Sequence, residues 1–216
     1  DDRDWPIATL CWCPDALVFH HALGAWSRVG EPPALIDAAT DAHRDDFTVG
    51  PLRHTDDRAA FERAVDRCVR LIHDGDLFQA NIARRMVVDF SGSTRELAAR
   101  AFAASGAWFG AYLEADPGRT IVSMSPELFL SFDAASRRIV TRPIKGTRPQ
   151  DDDAATLEAS EKDAAELAMI VDLMRNDLGH VCRPGSIVAD PICEIRPLAG
   201  VWHMVSTVAG ELAPDA

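Results

Sequence analysis

Between Trp108 and Pro149 the chain offers no place for a helix, and this stretch dictates most of what it can fold into. Four apolar runs follow one another: Trp-Phe-Gly-Ala-Tyr-Leu from Trp108, Thr-Ile-Val-Ser-Met-Ser from Thr120, Glu-Leu-Phe-Leu-Ser-Phe from Glu127 and Arg-Arg-Ile-Val-Thr from Arg137. Their connections are short and turn-like, which implies antiparallel pairing. Prolines at 143 and 149 then bias the next segment away from helix. That segment is a stiff mount for Lys145, which sits between an extended run and Gly146.

The run from Arg137 to Arg148 holds Arg137, Arg138, Arg142, Lys145 and Arg148 and no acidic residue, although the whole chain is formally at net charge -12. A cationic island in an acidic chain suggests a small anionic ligand. Guanidinium groups crowding an ammonium also favour its neutral form, the nucleophilic one. The competing reading is a solvated surface lysine, the usual condition of that residue type. Glu127, at the head of an otherwise apolar run, has two readings as well: an exposed strand-end carboxylate, the commoner case, or a partly desolvated general acid.

A chain of 216 residues, 47% of them hydrophobic, can bury a core as one large domain or two small ones. Its acidic balance argues against nucleic acid or an anionic membrane as partner, since both need a basic face. No apolar run reaches the roughly 18 residues of a membrane span, and the first residues lack a signal-peptide layout, so a cytoplasmic location is expected. The five cysteines are odd in number and form no CxxC pair, which reads as reduced packing residues. The absence of an initial methionine and the stop after an apolar run make both ends look cut.

Other elements follow from periodicity and capping. Residues 7–19 read as two short strands joined by a turn at Pro14 and Asp15, and residues 28–54 as an irregular connection. A helix is expected from about Asp56 to His73, with Thr55 as N-cap, Gly75 as stop and Phe61, Val65, Cys68 and Ile72 on one face. Asp76 to Phe90 reads as a long strand whose polar members Gln79, Asn81, Arg84 and Arg85 either line a site or face water. Ser93 and Glu96 form a capping box for a second helix. A third helix, from about Glu161 to Asn176, is capped by Ser160 and carries Leu167, Ile170, Val171 and Met174 on its apolar face. Within it Glu166, one residue before Leu167, is placed to turn inward, and carboxylates without His or Cys nearby suit Mg²⁺. Strands near Ser186 to Ala189 and Val201 to Val208 close the chain, and His203 inside the last reads as a hydrogen-bonded core histidine.

Six blocks together resemble the chorismate-utilising enzymes: Gly75-Asp76-Leu77-Phe78-Gln79, Ser125-Pro126-Glu127, Pro143 to Pro149, Glu161-Lys162-Asp163, Ile170 to Leu178, and His203-Met204-Val205-Ser206-Thr207. Relatives that make anthranilate usually carry alanine where Lys145 stands, and those that make aminodeoxychorismate usually carry lysine. The resemblance therefore implies an enzyme of the aminodeoxychorismate synthase branch, aminating chorismate with ammonia to 4-amino-4-deoxychorismate for para-aminobenzoate and folate. It implies Lys145 as covalent nucleophile, Glu127 as general acid, Glu166 as Mg²⁺ ligand, and Gly146, Thr147 and His203 as substrate-positioning residues.

The same resemblance implies ammonia from a glutamine amidotransferase partner and an α+β fold of antiparallel sheets packed face to face with helices outside, incomplete in this chain. Residues 1–54 are then the end of a poorly matched N-terminal region, and 55–216 the N-terminal part of the catalytic domain, active only within a longer chain. Leu128 stands where the family commonly has arginine, and Leu167 where asparagine or histidine is more usual; neither change removes a reacting group. The alternatives are an anthranilate synthase component I or other chorismate enzyme, and an inactive relative serving as a glutaminase-binding subunit.

Overall fold

The computed structural model describes residues 12–31, 46–55, 57–116, 118–198 and 200–214. Residues 1–44 and 45–216 form separate units. In the first, β1 (Ala16–His20) and β2 (Ala25–Val29) make an antiparallel hairpin. Its turn falls at residues 21–24 rather than at Pro14 and Asp15. The part of the expected strand pair before Trp12 lies outside the described residues.

The second unit begins with two small ladders. β3 (Phe47–Val49) pairs with β6 (Phe90–Gly92), and β4 (Arg53–His54) with β5 (Met86–Val87), so the segment expected to be irregular contributes two short strands. Between them, α1 (Arg58–His73) starts later than the sequence suggests. The Asp57 carboxylate accepts from the Ala59 N–H at 3.2 Å and caps the helix, while the Thr55 hydroxyl donates to the Arg85 carbonyl at 2.9 Å. Phe61, Val65 and Cys68 are half-buried as expected, but Ile72 is exposed and Leu71 takes its place on the covered face.

The long strand expected over Asp76 to Phe90 does not form. Only Met86–Val87 and Phe90 find ladder partners, and a strand cannot persist without a neighbour to take its backbone hydrogen bonds. Gln79, Asn81, Arg84 and Arg85 are all exposed. Arg84 lies over the Phe61 ring at 5.3 Å and donates to His54 Nδ1 at 3.1 Å, which fixes the segment without a sheet.

Half of the capping box expected at the second helix forms: the Ser93 hydroxyl accepts from the Glu96 N–H at 3.2 Å at the start of α2 (Thr94–Ser105), while the Ser93 N–H donates to the Asp46 carbonyl and Glu96 accepts from Arg100. Gly106 ends it in the left-handed conformation, φ 55°. The four strands that follow are β7 (Phe109–Asp116), β8 (Arg119–Ser125), β9 (Leu128–Asp133) and β10 (Arg138–Arg142). They are antiparallel, but not one meander. β7 pairs with β8 and β9 with β10, and the chain changes sheet at Ser125-Pro126-Glu127.

After β11 (Ile144–Pro149), a short helix α3 (Ala154–Glu158), absent from the sequence reading, is capped by Asp153. Then come α4 (Glu161–Gly179), β12 (Val188–Ala189), β13 (Glu194–Leu198), β14 (Val201–Val205) and β15 (Val208–Glu211). β13 is likewise an addition. It is an edge strand, the place in a sheet where Pro197 costs no ladder bond.

Two sheets carry the unit, in the orders β12-β15-β10-β9 and β11-β14-β13. β10 continues into β11 across Pro143 alone, and β14 into β15 across Ser206 and Thr207. Because β10 pairs with β15 and β11 with β14, one antiparallel pair passes from the first sheet into the second and bends on the way. The Ser206 N–H donates to the Pro143 carbonyl at 3.1 Å and bolts the two bends together. Ser206 is fully buried, and its hydroxyl donates to the Pro191 carbonyl at 3.1 Å.

The apolar stripe of α4 packs into the core. Leu167, Val171 and Leu178 are buried with Leu157, Ile139, Cys182, Met204 and Val208, and Met174 packs against that cluster. Full burial of one such leucine contributes about 1.5–3 kcal/mol, which outweighs the modest helix preference of a sequence containing Asp172 and Asn176. Antiparallel sheets with helices packed on them make this an α+β fold. No described helix is long and apolar enough to cross a membrane.

Candidate active site

Lys145 lies in β11, two residues past the bend at Pro143, so it stands on a paired strand and not on a loop. It pairs in register with Met204, and Thr147 with His203, so the ladder slips by one residue at Gly146. That slip is a β-bulge, with Gly146 at φ 76°. A Cβ on Gly146 would lie 2.8 Å from Leu157 Cδ1 and 2.9 Å from Asp163 Cβ. Gly146→Ala is therefore expected to lower stability by at least about 1–2 kcal/mol from the left-handed backbone alone, with repacking of Leu157 added. Urea unfolding of the full-length protein measures it.

The bulge sets the partner of Thr147. In an unbroken ladder Thr147 would face Trp202; with the extra residue it faces His203, and Thr147 Oγ1 lies 3.1 Å from His203 Nδ1. His203 is 8% exposed, so this bond satisfies a ring nitrogen that has little access to water. The hydrogen-bonded core histidine expected from the sequence is what the structure contains.

Glu127 sits at the sheet change just before β9 and is exposed, in keeping with the commoner of its two readings. Its Oε1 accepts from the Ile144 N–H at 2.9 Å. The first amide beyond Pro143 is thus tied to a side chain, and a carboxylate is anchored one residue from Lys145. The Ser125 hydroxyl accepts from the Glu127 N–H at 3.2 Å and fixes the turn that aims it.

The cationic island does not act as one group. Arg137 donates to the carbonyls of Leu212 and Ala213. Arg148 is paired with Asp163, Nη2 to Oδ2 at 2.8 Å. Both guanidinium groups hold the fold. Arg142 instead turns its Nε into the protein, where among the described residues it has no hydrogen-bond partner. It lines a cleft of about 260 Å³ with Trp108, Phe109, Pro126, Ile144, Arg196 and Val205. A buried donor without an acceptor is costly, so an acceptor atom entering there would be held.

Asp163 is the buried acid of the region, 6% exposed. The Ser160 hydroxyl, and after it the Arg148 guanidinium, hold its carboxyl below the ordinary aspartate range against the opposing effect of burial. A carboxyl with a lowered folded pKa stabilises the fold above its unfolded value, about 3.9, and that contribution is lost as pH falls through the folded value.

Glu166 lies on the same helix, half-buried, 3.0 Å from the exposed ammonium of Lys162. Among the described residues no three His, Cys, Asp or Glu side chains converge on one point. Mg²⁺ keeps several waters and is commonly held by one or two carboxylates, whereas here the Glu166 carboxylate is paired with Lys162. Glu166 offers one carboxylate, the donor type a hard cation takes.

Sequence reasoning names Glu127 and Lys145 separately, and the structure brings them to one bend. It names Arg142 within the cationic island, and misses Arg196 and Trp108 at the cleft and the Asp163–Arg148 pair. The Ser160-to-Asp163 spacing and the arginine after Thr147 are visible in the sequence, but the contact between them spans two elements.

Residues 12–216 match the family of chorismate binding enzymes, and the chain belongs to that family. It is 40% identical over 152 residues to aminodeoxychorismate synthase component 1 of Salmonella typhimurium, covering 67% of this chain and 33% of that protein. To aminodeoxychorismate synthase of Streptomyces pristinaespiralis it is 39% identical over 221 residues, covering 90% of this chain and 30% of the other. The structure resembles anthranilate synthase component I from Streptococcus pneumoniae with a TM-score of 0.78 at 22% identity, over 94% of this chain and 50% of that one, a likeness of fold. The chain spans about a third of the length of the two curated relatives.

Proposed function

We propose that the full-length protein aminates chorismate with ammonia to give 4-amino-4-deoxychorismate, with Lys145 as covalent nucleophile and Glu127 as general acid. The observation that carries this reading is the 2.9 Å bond from the Ile144 N–H to the Glu127 carboxylate, which anchors an acid beside the one lysine of the strand. Hydroxide is a poor leaving group, so departure of the ring C4 hydroxyl needs a proton donor. Glu127 gives that proton and water leaves. As the C4–O bond breaks, the Lys145 amine adds at ring C2, the two ring double bonds shift, and the alkylated amine sheds a proton.

Ammonia then forms the C4–N bond, the double bonds shift back, and Lys145 leaves C2 and regains its proton. The sum is chorismate plus ammonia to product plus water, and one hard substitution becomes two easier ones. Mg²⁺, held in part by Glu166, would neutralise the ring carboxylate. Gly146, whose bulge sets the pairing of Thr147 with His203, would act with those two residues to orient the ring. The ammonia would come from a glutamine amidotransferase, which suits a reaction whose nucleophile is lost to protonation in water.

The test is mass spectrometry of the full-length protein with chorismate and Mg²⁺ but no ammonia. A substrate-derived adduct mapping to Lys145 is expected, and an unmodified protein mass under conditions that support turnover with ammonia would overturn the covalent route. Adding ammonia separates the branches, because anthranilate is aromatic and fluorescent and aminodeoxychorismate is not.

A further inference from the structure

We propose that Asp163 is a positioning residue for Lys145, underlying the Gly146 bulge from the first turn of α4 and clamping Arg148, a role that rests on Lys145 being the nucleophile. A glutamate at the third position of a helix can reach back to the backbone N–H of the capping serine, a longer reach than the Asp163 side chain has. Here the Ser160 N–H donates to the Leu157 carbonyl at 3.1 Å, and Asp163 Oδ2 accepts from the Ser160 hydroxyl at 2.7 Å and from Arg148 Nη2 at 2.8 Å. The carboxylate thus joins the cap of its own helix to the strand.

What it holds are the residues just after the lysine. Asp163 Cβ and Cγ lie 2.9 and 3.1 Å from where a Gly146 Cβ would stand, so the acid packs directly beneath the bulge. Arg148 donates from Nη2 to Asp163 and from Nη1 to the Thr147 carbonyl at 2.9 Å, so the clamp reaches the backbone. On the other side of Lys145, the Ile144 N–H is tied to Glu127 at 2.9 Å. Lys145, paired in register with Met204, stands between these two anchored points, so the backbone that carries its side chain is held on both sides. A misplacement of about 1 Å at a reacting group can cost about 10²-fold in rate.

The experiment uses the full-length protein and follows three quantities: the rate of Lys145 adduct formation with chorismate and Mg²⁺ in the absence of ammonia, kcat and KM for chorismate with ammonia, and the urea midpoint. Asp163→Asn is expected to slow adduct formation and kcat together by about 10–100-fold, with KM for chorismate changed less than about 3-fold. Arg148→Lys keeps the charge but cannot bridge Asp163 and the Thr147 carbonyl at once. It is expected to slow both several-fold while remaining folded, so the test survives if Asp163→Asn unfolds.

A purely structural acid would lower the urea midpoint and leave the adduct rate per folded molecule unchanged; that result overturns the positioning role alone. A wild-type protein that turns over with no adduct overturns the reading of Lys145, and the positioning role with it.

Discussion

Lys145→Met in the full-length protein is expected to lower the rate of aminodeoxychorismate formation by at least about 10³-fold, or about 4 kcal/mol of barrier, and to abolish the covalent adduct. Methionine keeps the length and most of the volume of the stem, and Met204 opposite is already a thioether neighbour in the core. The ladder should therefore survive, and KM for chorismate should change by less than about 10-fold, since the nucleophile acts in the transition state rather than in ground-state binding. Steady-state kinetics with ammonia as donor measure both constants. Undiminished kcat would mean that ammonia attacks C4 directly and the lysine is incidental.

Glu127→Gln is expected to reduce kcat by about 10²–10⁴-fold, the usual range for a positioned general acid. The substitution is informative because of the bond it preserves. The amide oxygen of the introduced side chain can still accept from the Ile144 N–H, as the Glu127 carboxylate does at 2.9 Å, so the backbone beside Lys145 stays anchored while the transferable proton is gone. Adduct formation without ammonia should fall in step with kcat, because loss of the C4 hydroxyl belongs to the first half of the reaction. Were kcat to fall while the adduct formed at the wild-type rate, Glu127 would act only in the second half, and the proton for the leaving hydroxyl would have to come from elsewhere.

How much of this can be read from residues alone varies with how local the cause is. α4 is legible because its cap at Ser160 and its stripe of Leu167, Val171 and Met174 are set within one segment. The stretch from Asp76 to Phe90 misleads because its composition suits a strand, yet a strand exists only where a partner exists, and only its last residues find one. β13 escapes a sequence reading because Pro197 argues against a central strand and nothing local says that the position is an edge. At the site, residue roles can be proposed from the sequence, and geometry cannot be read there. Lys145, Glu127 and Glu166 stand out from their surroundings and from family likeness. The slip at Gly146 and the pairing of Asp163 with Arg148 depend on which residue of one element meets which of another, and no periodicity encodes that.

The shared bend at Pro143 and Ser206 has a mechanical consequence. Because two neighbouring strands turn together and are fastened to each other there, the segment bearing the amine cannot pivot independently of the layer behind it. On the role proposed for Lys145, its backbone is set when the polypeptide first adopts its shape rather than when the substrate arrives. Whatever opening and closing a catalytic cycle requires must be supplied by other portions of the molecule.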